Sequence, residues 1–141
     1  MLVVAIIMTI PLYVPIAQLL IPNDASYNFF TYGVVLIGEN SVICRGTIDD
    51  TIIGDGVRID ALTQVSHNCV LEKNTVLVAG CRLCGSVHLK ENAYLAGAIV
   101  RNQCVVEEDA LAGLGAVIVK NVPAGETVVG NPARPLKKKE G

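Results

Sequence analysis

The fold of this chain is decided by residues 53–96, which read IGDGVRIDALTQVSHNCVLEKNTVLVAGCRLCGSVHLKENAYLA. Every sixth residue of this stretch is aliphatic, in one unbroken frame: Ile53, Ile59, Val65, Leu71, Leu77, Leu83, Leu89 and Leu95. A period of six fits neither an α-helix nor a single long strand, whose side chains alternate between two faces. It fits short strands that turn a corner at regular intervals, so the sequence predicts a solenoid.

The frame continues outside this stretch with two changes of spacing. Upstream, Ile43 precedes Ile53 by ten residues instead of six, which predicts an extra loop of four residues at Thr47–Asp50. Downstream, one five-residue step leads from Leu95 to Val100, after which the period of six resumes. A small or β-branched residue follows each aliphatic residue of the frame by four positions, where we expect tight corners: Val57, Thr63, Cys69, Thr75, Cys81, Val87, Ala93 and Ile99.

This pattern resembles that of the hexapeptide-repeat acyltransferases, in which three hexapeptides make one triangular coil of about 18 residues. The resemblance implies an all-β fold, a left-handed parallel β-helix of about five coils over residues 31–122, with the aliphatic residues stacked inside. The left hand comes from the resemblance, because crossover rules alone favour the right hand. We expect residues 1–30 to form an apolar cap or a worn first coil, and residues 123–141 an extended loop with a basic tail.

Composition narrows the class of protein. The formal net charge of −2 gives no electrostatic case for nucleic acid as a partner. Three of the five cysteines, Cys69, Cys81 and Cys104, fall at small-residue corners, and unpaired thiols used in this way indicate a reducing, cytoplasmic compartment. Cys81-x-x-Cys84 has the spacing of a redox pair or half a zinc site, but no second pair exists. We interpret these cysteines as packing residues and expect no metal.

Residues 1–23 are uncharged and mostly aliphatic, which raises the question of a signal peptide or a membrane span. A signal peptide begins with a basic region, whereas the first Lys or Arg here is Arg45. Pro11, Pro15 and Pro22 divide the stretch into pieces shorter than a bilayer crossing. We therefore expect a cap over the open end of the prism, with peripheral membrane contact through residues 1–22 as the alternative.

The segment after the coils contains Lys120-Asn121-Val122-Pro123-Ala124-Gly125, then Val129-Gly130-Asn131-Pro132-Ala133-Arg134-Pro135, and then Lys137–Lys139. By itself it predicts only an extended loop and a solvated basic end. As a whole it resembles the closing segment of hexapeptide acetyltransferases that use acetyl-CoA. The resemblance implies acetyl-CoA as co-substrate and makes Arg134 and the lysines partners for its phosphates. A merely solvated tail is an equal alternative for the lysines.

Two histidines are present, and the frame turns both His67 and His88 outward. The segments around His67, namely 45–54, 59–60 and 64–68, resemble the UDP-3-O-acyl-glucosamine N-acyltransferases of lipid A synthesis. The bacterial nucleotide-sugar N-acetyltransferases carry a comparable histidine. This resemblance implies that His67, followed by Asn68, is the catalytic base, and imidazole titrates in the right range to take a proton from an attacking amine. For His88 we expect no role.

The frame places Gly85 one coil above His67, eighteen residues later. A glycine there leaves room for a thioester and exposes an N–H that can stabilise the oxyanion of the tetrahedral intermediate. The resemblance gives Gly85 this catalytic role and assigns the coenzyme-binding residues, which are Gly85, Gly97, Gly115, Gly130 and Arg134. A simple corner role for Gly85 stays open.

Donor and acceptor also stay open. The lipid A enzymes take a long acyl chain from acyl carrier protein, whereas the tail of this chain is similar to that of acetyl-CoA enzymes. In the amino-sugar acetyltransferases the residue after the histidine is often acidic, and Asn68 carries no charge. We expect transfer to an amino group of a nucleotide-activated sugar. The alternatives are a long-chain N-acyltransferase with an acyl carrier protein thioester, an O-acetyltransferase, and a structural β-helix without activity.

The superfamily resemblance implies a closed homotrimer about a threefold axis. One face of a prism offers no concave pocket, so we expect a cleft between neighbouring subunits. His67 would come from one subunit, and the Thr47–Asp50 loop is a candidate for the wall supplied by the next.

Overall fold

The computed structural model describes residues 34–136 and, as backbone, the strands Val4–Ala5 and Phe29–Thr31. The described residues form eighteen strands of two or three residues each, arranged in three sheets. Sheet A contains β1 (Val4–Ala5), β4 (Val42–Ile43), β7 (Gln64–Val65), β10 (Arg82–Leu83), β13 (Ile99–Val100) and β16 (Val117–Ile118). Sheet B contains β2 (Phe29–Thr31), β5 (Thr51–Ile53), β8 (Val70–Leu71), β11 (His88–Leu89) and β14 (Val105–Val106). Sheet C contains β3 (Leu36–Ile37), β6 (Arg58–Ile59), β9 (Val76–Val78), β12 (Tyr94–Ala96), β15 (Leu111–Ala112), β17 (Thr127–Val129) and β18 (Arg134–Pro135).

Successive coils pair in parallel, and their register gives the length of each coil. Gln64 pairs with Arg82, eighteen residues later. Val42 pairs with Gln64 after twenty-two residues, because this coil carries the predicted four-residue insertion. Arg82 pairs with Ile99 after seventeen residues, because one step of the repeat is short. The predicted left-handed parallel β-helix of about five coils is confirmed.

The predicted aliphatic ladders fill the inside of the prism. All eight residues of the unbroken frame are buried, with exposed fractions of 2% or less. Full burial of such a side chain stabilises a fold by roughly 1.5–3 kcal/mol, so the stacked ladders are a main source of stability.

The prediction that Ile99 occupies a corner is wrong. Ala98 is fully buried at that corner, whereas Ile99 is 38% exposed on sheet A. The five-residue step after Leu95 removes one position before the corner, so the small-residue positions shift by one residue along the chain.

Strand pairing continues at the C-terminal end of the solenoid. The predicted cap at residues 1–30 lies outside the described residues, apart from the backbone of β1 and β2, and so do Lys137–Lys139. At the other end β17 pairs in parallel with β15, so strand pairing continues past residue 122 before β18 turns back antiparallel. No helix in the described part of the chain is long and apolar enough to cross a membrane.

Candidate active site

The candidate site lies at one edge of the prism, where the chain leaves sheet A and enters sheet B. This edge, here called the AB corner, is formed by segments 44–50, 66–69, 84–87 and 101–104. The segments lie side by side, since Ser86 N–H donates to the carbonyl of His67 (2.9 Å) and Gln103 N–H donates to the carbonyl of Gly85 (3.0 Å). His67 and Gly85 therefore lie in neighbouring coils of the same edge.

Gly85 packs directly against the imidazole of His67. A Cβ placed on Gly85 would lie 2.5 Å from Cε1, 2.8 Å from Nε2 and 3.2 Å from Nδ1 of His67. Real Cβ atoms essentially never approach another heavy atom within 3.0 Å, so any side chain at position 85 displaces the ring. The space that Gly85 leaves is thus occupied by the imidazole, and the first effect of this glycine is on the position of His67.

Asn68 holds His67 from another side. Its Oδ1 lies 2.8 Å from His67 Nδ1. The backbone of Asn68 has a φ of 60°, in the left-handed region that asparagine tolerates better than most residues. Its N–H donates to Oγ1 of the buried Thr51 at 3.0 Å, which secures this turn. The exposed imidazole is therefore oriented by a hydrogen bond and by packing on Gly85.

The four extra residues form a loop beside Asn68 of the same chain. Thr47 donates to Asn68 Oδ1 through its hydroxyl (2.8 Å) and its N–H (3.4 Å), and Asn68 Nδ2 donates to the carbonyl of Asp49. Ile48, between these two residues, is 92% exposed. The polar groups of the loop thus bind Asn68 of the same chain, and the role of the loop as a wall for a neighbour's histidine stays a prediction.

The Thr47–Asp50 loop was expected near the site, but the hydrogen bonds of Thr47, Asp49 and Thr51 to Asn68 were not predicted. The sequence did indicate that the insertion lies near His67, because the insertion precedes His67 by one coil and lies at the same edge. Spacing alone does not show which way the polar groups of an irregular loop turn.

The second histidine belongs to an ion-pair cluster on sheet B. His88 Nε2 lies 2.6 Å from Glu72 Oε1, and Lys90 Nζ lies 3.0 Å from the same oxygen. Burial raises the pKa of Glu72, but the hydrogen bonds from Lys90 and His88 outweigh it and bring the pKa below its ordinary value of 4.5. The cluster links two neighbouring coils on the face of sheet B, which sets His88 apart from the AB corner.

The cysteines are free thiols that mostly serve as packing residues. Burial raises the pKa of Cys69 to about 11 and also raises the pKa of Cys81. The Sγ of Cys81 lies 3.3 Å from the carbonyl of Leu95. Because the thiolate is the reactive form, such buried thiols are poor nucleophiles. Among the described residues, no group of three His, Cys, Asp or Glu side chains is placed to hold a metal ion.

The predicted coenzyme glycines fall on separate edges of the prism. Gly85 lies at the AB corner, whereas Gly97 and Gly115 lie at the edge between sheets C and A, with φ values of 53° and 68°. Gly115 N–H donates to the carbonyl of Ala96 at 3.0 Å, which aligns the two turns. Within one subunit, sheet A separates this edge from His67.

Gly130 and Arg134 lie at the C-terminal end of the described coils. Gly130 has a φ of 89°, and Arg134 begins the antiparallel strand β18. Next to this turn is a cleft of about 360 Å³ whose walls include Arg134, Lys120 and Asn121. Glu126 also lines the cleft, so its charge is mixed with a positive excess, which favours an anionic group such as a phosphate.

Known proteins share the six-residue repeat of this chain. Residues 50–85 match the family described as bacterial transferase hexapeptide (six repeats). The UDP-3-O-acylglucosamine N-acyltransferase of Caulobacter sp. (strain K31) is 41% identical over 105 residues, which are 74% of this chain and 31% of that protein. The chain therefore spans about a third of the length of this curated relative.

Two of the solved structures that share the fold illustrate the similarity. The acetyltransferase domain of PglB from Neisseria gonorrhoeae FA1090, in complex with acetyl coenzyme A, is 33% identical with a TM-score of 0.62, over 77% of this chain and 55% of that one. PerB from Caulobacter crescentus, in complex with CoA and GDP-perosamine, is 27% identical with a TM-score of 0.63, over 78% of this chain and 55% of that one.

Proposed function

We propose that this chain is an acyltransferase of the hexapeptide-repeat superfamily, and that it transfers an acyl group from a thioester to the amino group of a nucleotide-activated sugar. The observation that carries the proposal is the exposed imidazole of His67, which is held by Asn68 and packed on Gly85 at the AB corner. The relatives support the same chemistry, since one is an N-acyltransferase of a UDP-sugar and another was solved with CoA and a GDP-sugar.

In the proposed reaction His67 is the general base. The amine nitrogen of the sugar attacks the thioester carbonyl carbon, and the imidazole takes the proton that this nitrogen loses. The Gly85 N–H donates to the oxyanion of the tetrahedral intermediate. The intermediate then collapses, the C–S bond breaks, and the proton passes from the imidazolium to the departing thiolate.

Acetyl-CoA is the proposed donor. Lys120 and Arg134 outnumber the one carboxylate of the cleft, Glu126, so the charge of the cleft favours the phosphates of the coenzyme. Gly97 and Gly115 lie across sheet A from Gly85, so one donor molecule contacts all three only by crossing sheet A or by lying between two subunits. The second arrangement fits a homotrimer, which we propose as the active assembly. We also propose that the protein acts in the cytoplasm.

A longer acyl group carried by acyl carrier protein is the second candidate donor. The observation that favours it is the 41% identity to a UDP-3-O-acylglucosamine N-acyltransferase. The two donors are distinguished by presenting acetyl-CoA, longer acyl-CoAs and acyl carrier protein thioesters with a panel of nucleotide amino sugars, and measuring thiol release. Release that depends on the sugar supports the enzyme, whereas no release from any pair favours a structural β-helix.

The test of the base is a substitution of His67. His67→Ala should lower kcat by about two to four orders of magnitude, the usual range for loss of a general base, while the β-helix and its assembly persist. His88→Ala is the matched control and should leave kcat nearly unchanged, since His88 binds Glu72 on a different face. Equal losses in the two variants would contradict the assignment of His67.

A further inference from the structure

We infer that Thr47 is a positioning residue that, with the backbone of its loop, selects the tautomer in which His67 acts as a base at Nε2. The inference rests on the proposed function, because it describes how His67 is prepared for proton transfer. It starts from the hydrogen bonds that surround the side chain of Asn68.

The two ends of the Asn68 amide are distinguished by backbone groups. The carbonyl of Asp49 can only accept a hydrogen bond, so the end of the amide that faces it must be the NH₂ group. The N–H of Thr47 can only donate, so the end that faces it must be the oxygen. The Thr47 hydroxyl donates to the same oxygen at 2.8 Å. The loop therefore holds the amide in one of its two orientations.

This orientation decides which nitrogen of His67 carries the proton. The Asn68 oxygen lies 2.8 Å from His67 Nδ1 and has no hydrogen to donate, so Nδ1 must be the donor. A neutral imidazole has one N–H, and with Nδ1 protonated the lone pair is on Nε2. Nε2 is also the ring nitrogen that lies nearer to the Cβ position of Gly85. The basic nitrogen thus lies beside the residue at which we propose the thioester binds.

The need for a loop follows from the use of an amide. A carboxylate accepts hydrogen bonds at both oxygens, so it would fix the same tautomer in either orientation. A flipped asparagine would turn its NH₂ group towards Nδ1, which would move the proton to Nε2 and remove the base. A regular coil has no residues at the place of Thr47–Asp50, and the insertion supplies the Thr47 N–H and the Asp49 carbonyl, which oppose the flip.

The direct test is the tautomer itself, read from the ¹⁵N chemical shifts of His67 after labelling of histidine, with His88→Ala used to assign the signals. The wild-type chain should show neutral His67 protonated at Nδ1. Thr47→Val keeps the shape of the side chain and removes the shorter of the two hydrogen bonds from Thr47 to the Asn68 oxygen. The amide is then held less firmly, so signal from the Nε2–H tautomer should appear, whereas Thr47→Ser keeps the hydroxyl and should retain the wild-type spectrum. A Thr47→Val spectrum identical to that of the wild type would overturn the inference.

Activity provides a second readout. Thr47→Val should lower kcat about two- to tenfold with little change in KM, the loss expected when one neutral hydrogen bond is removed. Thr47→Ser keeps the hydroxyl and should retain most of the wild-type kcat. If Thr47→Ser lost as much rate as Thr47→Val, the role of Thr47 would be merely structural. The tautomer spectrum needs no substrate, so an inactive protein with the expected spectrum would contradict only the proposed function.

Discussion

At the residue scale, the candidate site depends on the absence of a side chain at Gly85. The imidazole of His67 lies where a Cβ of residue 85 would be, and Asn68 fixes the ring from another side. The first heavy atom of any side chain at position 85 therefore competes with the base for the same space. This makes the Gly85–His67 pair sensitive to the smallest possible substitution.

Gly85→Ala should lower kcat by about ten- to a hundredfold, since small displacements of a catalytic group have effects of this size. The fold should survive, because the exposed imidazole is the far end of a flexible side chain and can rotate away. Unfolding in denaturant should show a cost of Gly85→Ala that disappears when His67→Ala is also present, since the alanine then has room. The same cost in both backgrounds would contradict the packing of Gly85 on the ring.

At the scale of the strand and coil, each element is too short to be stable alone and depends on the coils on either side. In β6, β7 and β10 one side chain of each strand points inward, and the polar residue beside it faces solvent. On sheet B this outer layer contains the cluster of Glu72, His88 and Lys90, which connects residues of two consecutive coils. Such contacts add to the backbone pairing between coils and depend on charge.

The contribution of Glu72 should depend on pH. Its pKa is lower in the folded chain than the ordinary value of 4.5, so its stabilisation is present above that value and is lost as the pH falls through the folded pKa. Glu72→Gln should reduce the free energy of unfolding by at most about 1 kcal/mol at neutral pH, because water screens this half-exposed carboxylate. The difference from the wild type should vanish in acid.

Denaturant titrations at several pH values measure this difference. Glu91→Gln, at an exposed corner, is the control and should show no comparable dependence on pH. A cost of Glu72→Gln that stays constant from neutral pH into acid would show that charge is not the source of the stabilisation.

At the scale of the whole molecule, the β-helix has a buried aliphatic interior and an outer surface that is partly apolar. Sheet C exposes Leu36, Tyr94, Leu111 and Val129, each by 37–40%. His67 lies on an edge of the prism and not in a hollow, so a second wall is needed to exclude water from the reaction. A neighbouring subunit is the simplest source of that wall.

We therefore expect sedimentation to give a trimer, and the activity per subunit to fall on dilution over the same concentrations at which the trimer dissociates. A trimer cross-linked before dilution should keep its activity, which separates dissociation from loss of protein on surfaces. A monomer with full activity would refute a site shared between subunits.

Much of the fold and part of the site follow from the sequence alone. The period of six identifies the inward residues, because a narrow prism with three faces accepts an aliphatic side chain at one place per strand. The same counting locates the insertion at Thr47–Asp50 and puts Gly85 over His67, because parallel coils in register stack residues one coil length apart. Which residues stack depends only on how far apart they are in the sequence, so counting residues is sufficient to predict it.

Only the tertiary structure decided the contacts between irregular segments. Spacing does not show that the polar groups of the 47–50 loop bind Asn68. It also does not show that one oxygen of Glu72 binds both His88 and Lys90. Spacing alone also predicted Ile99 at the corner that Ala98 occupies, because a coil that is one residue short can lose that residue before or after the corner. The physical reason is the same in each case. Hydrogen bonds and corner packing depend on directions and distances in space, and a repeat specifies only which residues lie in the same column.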